Sequence, residues 1–493
     1  MMAQAAMTRM ARHERRAGRK MAGSWVRRGL LAGAAALALS SAPEPARAET
    51  IEEALATAYQ SNPSLQAERA AVRVQDEGVA QALSGWRPTV TLNGNVGEQV
   101  QEVDSKAFGL STHRSSEPTP RGASLTVTQN IYKGGGIAAQ TRQSEFLVLV
   151  ERSRLQLTEQ TVLVNAATAY MDVLRDQAVL DLNVNNEQVL ARQLEATRDQ
   201  FQAGTVTRTD VAQSEAALSQ AKAGREAAQN QLQISRANYR NVVGELPGAL
   251  VDPHEPDGLP SSRDDVLSLA QRQNPNVLVA DYVERAAQAG VDVAFSGLLP
   301  TLQLQGVLSK QTEQSSVADD TGLGVVRALL TVPLYTGGLA DSQTRQAKEL
   351  VGQRRLELEQ AQRQAVQDAT TAWESLQSAR AQLASFQDQV TANNIAFEGV
   401  QQEERAGLRT VLDVLNAQQA LLQSQVNVVT SHHDAIVAAY QVLNTTGRLT
   451  AQDRRLPVEY YDPTRHYFEV RDKWLGTGAA GGPQPSASGG GKR

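Results

Sequence analysis

The sequence predicts a mostly helical chain with a small β part, built from two copies of one unit: a pair of strands followed by a long helical hairpin. Three observations predict it. A set of landmarks recurs at a constant offset of 203 residues, two proline-free runs of 67 residues occupy matching places, and a period of two replaces the helical period before each run. A duplication this long constrains everything around it, because each copy must fold as one unit.

The landmarks are specific. Ile131-Tyr132-Lys133-Gly134-Gly135 returns as Leu334-Tyr335-Thr336-Gly337-Gly338, and Ala169-Tyr170 meets Ala372-Trp373. Gly204 meets Gly407, Asp210-Val211 meets Asp413-Val414, and Val243-Gly244-Glu245-Leu246 meets Thr446-Gly447-Arg448-Leu449. Upstream the offset becomes 212, matching Asn62-Pro63 to Asn274-Pro275 and Pro88 to Pro300, so the first copy carries a longer polar loop between its strands.

Composition suits long rods better than thick cores. Aromatic residues make up 4% of 493, and the chain has no cysteine, which excludes a disulfide framework, a thiolate metal site and a lipid-modified N-terminal cysteine. Residues 1–48 read as a secretory leader: Arg27-Arg28, an apolar run too short to span a bilayer, and the small-x-small site Ala46-Arg47-Ala48. Met21 is an alternative start, and the twin arginines leave a Tat-type signal open. The net charge of −5 becomes −12 once the leader's +7 is removed, which disfavours nucleic acid as a partner.

Each copy begins with a helical pattern (Ile51, Ala54, Leu55 and Ala58 in the first) that Asn-Pro interrupts, since the residue before proline is pushed out of helical geometry. The alternating stretches follow. Val90, Leu92, Gly94 and Val96, then Ala123, Leu125 and Val127, alternate with Thr, Asn and Ser; the second copy repeats this with Leu302, Leu304, Gly306 and Leu308, then Val326, Ala328, Leu330 and Val332. Such alternation fits outer-membrane strands, apolar side out, and equally a soluble hairpin with one wet face.

The runs 136–202 and 339–405 then predict rods of about 100 Å at 1.5 Å per residue. Ala365, Ala369, Ala372, Leu376, Ala379, Leu383, Phe386 and Val390 form a heptad seam in the second rod; Val162, Ala166, Ala169, Val173 and Leu180 form a patchier one in the first. Alanine seams bury little area, so each rod needs neighbours on more than one side. Gly204 and Gly407 end the rods, Thr207 or Thr209 and Thr410 are available N-caps for the return helices, and the half-length helices stack end to end to match one rod. The resulting division is a leader over 1–48, a first repeat over 49–246, a linker over 247–263, a second repeat over 264–449, a packing segment over 450–475 and a disordered tail over 476–493.

No catalytic constellation is visible. His432-His433 lack the i, i+4 spacing of a metal pair and read as solvated helix residues, and Gly134-Gly135-Gly136 lacks the Lys-Ser/Thr of a phosphate loop and reads as a strand-to-helix hinge. Four strands cannot close a barrel, and an open edge is not tolerated in lipid. At least two chains, and three for an open lumen, must share strands if these lie in a membrane.

The whole duplicated plan resembles the TolC-type outer-membrane efflux and secretion family. The tip sequences carry the resemblance: Phe201-x-x-Gly204 with Asp210-Val211, and Ala406-Gly407-Leu408-Arg409-Thr410-Val411-Leu412-Asp413-Val414-Leu415, supported by the Leu-Tyr-x-Gly-Gly strand ends. The ending Tyr461-Asp462-Pro463 with Val470-Arg471-Asp472-Lys473-Trp474 is similar to the type I secretion branch. The resemblance implies a homotrimer with a twelve-stranded β-barrel in the outer-membrane lipid and a long α-barrel in the periplasm, forming one α/β-barrel conduit. It implies a periplasmic adaptor and an inner-membrane transporter as partners; since the hairpin tips and seams offer no nucleophile–base pair, neither enzyme activity nor a cofactor is expected. Gly204, Thr205, Gly407 and Leu408 become adaptor-docking tips. Asp210 and Arg409 become gate residues, and Asp413 a carboxylate ring that favours cations. Asn416 and Glu404 depart from the family pattern, which changes the acidity and linkage expected of the gate. Asp210 and Asp413 equally suit helix capping, where the dipole favours anions. With soluble hairpins the same elements would make a periplasmic coiled-coil scaffold or adaptor. The cargo is not legible.

Overall fold

The computed structural model describes residues 49–315 and 318–479; the leader over 1–48 and all but the first residues of the 476–493 tail lie outside this range. The first copy starts with α1 (Ile51–Ser61) and α2 (Pro63–Ser84), then β1 (Thr89–Val96), β2 (Gln101–Ala107), β3 (Leu110–Ser116) and β4 (Arg121–Lys133), and ends with α3 (Gly136–Gln202) and α4 (Arg208–Val243). The second has α5 (Arg263–Gln273), α6 (Pro275–Phe295), β5 (Thr301–Ser315), β6 (Ala318–Thr331), α7 (Leu339–Arg405) and α8 (Val411–Thr445); a short α9 (Arg465–Arg471) follows. Both rods are 67 residues long. No helix among the described residues is long and apolar enough to cross a membrane.

Four of the strands form one antiparallel sheet in the order β1-β4-β5-β6. Its register sets Val90, Val127, Gly306 and Val326 in one row and Leu92, Leu125, Leu308 and Gly324 in the next, so the apolar sets of both copies share a face. Val90, Leu92, Leu308 and Val326 on that face are all exposed. The sheet has two edge strands, β1 and β6.

The longer loop of the first copy is a correction. It folds as a separate hairpin of β2 and β3, joined by the two-residue turn Phe108-Gly109 with both φ positive. That turn normally takes Asn-Gly or Asp-Gly, and the flanking strands are mostly polar without apolar alternation, so neither sequence signal for a hairpin was present.

Asn62 and Asn274 do more than interrupt a helix. Asn62 Oδ1 caps α2 through the Ser64 amide at 3.0 Å, while its Nδ2 donates to Val242 O at 3.1 Å, near the end of α4. Asn274 repeats both bonds, to the Asn276 amide at 2.9 Å and to Thr445 O at 3.0 Å. One amide thus splices two half-rods end to end, satisfying a free donor of one helix and a free carbonyl of the other. Beside the splice, Tyr170, Tyr239 and Tyr440 are fully buried with Leu55, Leu163 and Leu443 in the main core. Tyr170 also binds the linker, accepting from the Val251 amide at 2.9 Å.

Rod α3 touches α1, α2, α4, α6 and α8, whereas α7 touches α5, α6 and α8. The seam of α7 is buried from Ala365 to Ala379 only; Leu383, Phe386 and Val390 are half exposed. The lower half of α7 therefore has fewer neighbours than its sequence pattern provides for.

Candidate functional site: the hairpin tips

Each rod ends in the same three-step turn. After Gln202, Ala203 closes the helix, Gly204 enters the left-handed region at φ 79°, and the Thr205 amide donates back to Gln200 O at 3.0 Å. In the second copy Gly407 sits at φ 75° and the Leu408 amide donates to Glu403 O at 2.8 Å. A side chain at either glycine would be strained by the backbone alone. The chain then re-enters a helix at Thr207 and Thr410, both extended N-caps. Thr207, rather than Thr209, is the cap.

Asp210 and Asp413 complete capping boxes. The Asp210 carboxylate accepts from the Thr207 amide at 2.8 Å and hydroxyl at 2.7 Å; Asp413 accepts from Thr410 at 3.0 and 2.8 Å. The Thr410 amide, aided by its hydroxyl and by Arg409, holds the Asp413 carboxyl below the usual carboxylate range. Arg409 Nε donates to Glu403 Oε2 at 2.9 Å, across its own turn, and this bond raises its already high pKa. Among the described residues no ion pair joins Arg409 to Asp210; each is occupied within its own hairpin.

The two tips differ as their sequences do. Arg409 corresponds to Val206, which packs inward against Leu190, Val411 and Leu415 in a small cluster between the hairpins. Gln200 Nε2 donates to Glu404 Oε1 at 3.2 Å, a second link between the hairpins, and Gln418 Nε2 donates to buried Asn186 at 3.0 Å, about four turns further along α3. Glu404 thus takes a polar partner on the neighbouring rod. Glu403, Gln200 and Asn186 escaped sequence reasoning, since their partners are six or more residues away and not at helical spacing. Leu408 and Phe201 are exposed at the extremity, with Gly204, Thr205 and Gly407 beside them. Among the described residues no group of His, Asp or Glu has the arrangement of a metal site.

His433 corrects the reading of the histidine pair as solvated. It is buried between α3 and α8, with Nε2 at 3.0 Å from Asp172 Oδ1 and Nδ1 at 2.9 Å from Asp434 Oδ1. Burial pulls its pKa down, but the two carboxylates outweigh burial and raise it. Asp172 also holds Arg175 at 2.9 Å, and Arg175 holds Asp176, which accepts from Ser235 on α4. His432, more exposed, reaches Asp252 of the linker at 2.9 Å.

A four-stranded sheet with an exposed apolar face, joined to duplicated rods that turn at glycine tips, fits an outer-membrane exit duct. The comparisons agree. The chain belongs to the outer membrane efflux protein family, whose model matches residues 54–245 and 266–448. It is 35% identical over 438 residues to the outer membrane efflux protein BepC of Brucella suis, covering 88% of this chain and 93% of BepC. It is 26% identical over 434 residues to the outer membrane protein TolC of Escherichia coli, covering 85% and 86%. Its fold matches the Campylobacter jejuni CmeC outer membrane channel with a TM-score of 0.72 at 14% identity, over 86% of this chain and 89% of that one.

Proposed function

We propose that three copies of this chain form one passive conduit across the outer membrane and periplasm. Each copy gives four strands to a twelve-stranded barrel, and the rods close into a helical barrel beneath it. A periplasmic adaptor docks on the tips at Gly204-Thr205 and Gly407-Leu408, and an inner-membrane transporter supplies direction and energy for efflux or type I secretion. Arg409 with Glu403, Asp210 and Asp413 border the entrance, where three-fold repetition brings like charges around a narrow axis. Docking frees the tip contacts and opens the entrance; the duct itself does no chemistry.

The observation that carries this reading is the sheet. Its apolar face is exposed and both its edges, β1 and β6, are unpaired among the described residues, an arrangement that lipid tolerates only when other copies close the ring. The sparsely covered lower half of α7 supports the same conclusion for the rods. The test is electrophoresis of the outer-membrane fraction without boiling. Detergent-resistant trimers that collapse to monomers on heating are expected; a carbonate-extractable soluble protein would instead indicate a periplasmic scaffold.

A further inference from the structure

The segment after the second repeat follows α2 of the first copy toward the membrane end. The Tyr461 amide donates to the Tyr59 hydroxyl at 3.1 Å, and His466 Nδ1 lies 3.0 Å from Asp76 Oδ2. Arg87 Nη1 donates to Lys473 O at 2.6 Å, with its guanidinium 5.0 Å from the centre of the Trp474 ring. The partners advance from Tyr59 near the end of α1 to Asp76 on α2 and then to Arg87 between α2 and β1, so the segment runs up alongside these helices and arrives at the base of β1. The second copy offers no such track: at the 212 offset it has Gln271, Gln288 and Leu299 in place of Tyr59, Asp76 and Arg87. The destination is therefore written into the first copy alone.

What arrives there is apolar and uncovered. Trp474 is 66% exposed and Leu475 89% exposed. In the same tier Gln129 of β4 donates to Trp86 O at 2.5 Å, and Trp86, Tyr132 and, in the second copy, Leu334 and Tyr335 are exposed as well. Tryptophan and tyrosine with an apolar body and a polar edge collect where acyl chains meet headgroups. Phe468 is exposed too, but it lies near the level of Asp76, about 12 Å below the end of α2 at 1.5 Å per residue, outside this tier.

We propose that Trp474 and Leu475 insert into the periplasmic leaflet of the outer membrane at its headgroup boundary, so that the C-terminal segment anchors the base of the first repeat's strands to phospholipid. Arg87 aims the indole from beneath by stacking on it, and Lys473 places a cation beside the phosphates. The occupant is lipid because Arg87, which holds the indole, stands two residues before β1, whose apolar Val90 and Leu92 are exposed. The inference rests on the membrane placement of the strands, so its test reads both.

After removal of the leader the chain has three tryptophans, Trp86, Trp373 and Trp474. Trp373 lies on α7 about 50 Å from the start of that rod and serves as a reference outside the bilayer. Native protein and W474F, a conservative change at an exposed position, are reconstituted into phosphatidylethanolamine and phosphatidylglycerol vesicles with brominated acyl chains. Two tryptophans in the boundary tier predict that W474F loses about half of the quenched emission. Unchanged quenching in W474F, with Trp86 still quenched, would overturn the anchor and place Trp474 in water or beneath another copy. No quenching in either protein would overturn the membrane placement of the strands, and the anchor with it.

Discussion

Replacing His433 with leucine should destabilise the joint between α3 and α8 in a pH-dependent way. The imidazole bridges Asp172 at 3.0 Å and Asp434 at 2.9 Å. The Asp434 carboxylate is 56% exposed, so solvent screens that bond and little is assigned to it. Asp172 is 26% exposed, and a charged hydrogen bond in such a place contributes about 2 kcal/mol. The sign follows from the raised pKa. The extra stability of the charged form is fully present below the unfolded value of ~6.5 and is lost as pH rises through the folded value. The gap between native protein and H433L should therefore be about 2 kcal/mol at acidic pH and about half that once His433 is neutral. Guanidinium unfolding of the purified protein, followed by helical circular dichroism on either side of that transition, measures it. A gap that stays constant, or grows with pH, would refute the reasoning.

Other perturbations follow from the same contacts. Asn274→Ala removes a cap and leaves Thr445 O without its buried donor, and should cost about 2 kcal/mol in the same unfolding assay; Asn274→Asp should keep the cap but not the carbonyl bond. Thr410→Ala should speed hydrogen exchange at the first amides of α8 about fivefold without changing exchange at the splice. The Asp413 carboxyl is held below its ordinary range, so its capping contribution is present above the unfolded value of ~3.9 and is lost as pH falls through the folded value; protection of the tip amides, relative to their intrinsic exchange rates, should fall only in acid. Gly407→Val should loosen the second tip, since φ is positive there, and reduce crosslinking to any docked adaptor while trimers persist.

The features set by local geometry were legible in the sequence. Proline-free runs of 67 residues gave both rods their bounds, alternation gave the four sheet strands, and glycine placed both tips. What escaped depended on distant partners. His433 is buried because α3, 261 positions away, brings Asp172 against it. Asn62 reads as a helix break, yet its second bond is to Val242. The β2–β3 hairpin lacks apolar alternation and turns on Phe108, a residue that rarely accepts positive φ. At the tips, charge type was readable but partner choice was not: Arg409 turns to Glu403 of its own hairpin, and the capping boxes take both aspartates.

The central claim is a duct with an entrance held by these tips, and the current through the purified protein in a planar bilayer tests it most directly. Discrete, long-lived steps of low conductance are expected from the native protein, with larger steps from Arg409→Ala, whose tip has lost the Glu403 contact. Absence of steps in both proteins would contradict the duct, and identical steps would contradict the part given to Arg409.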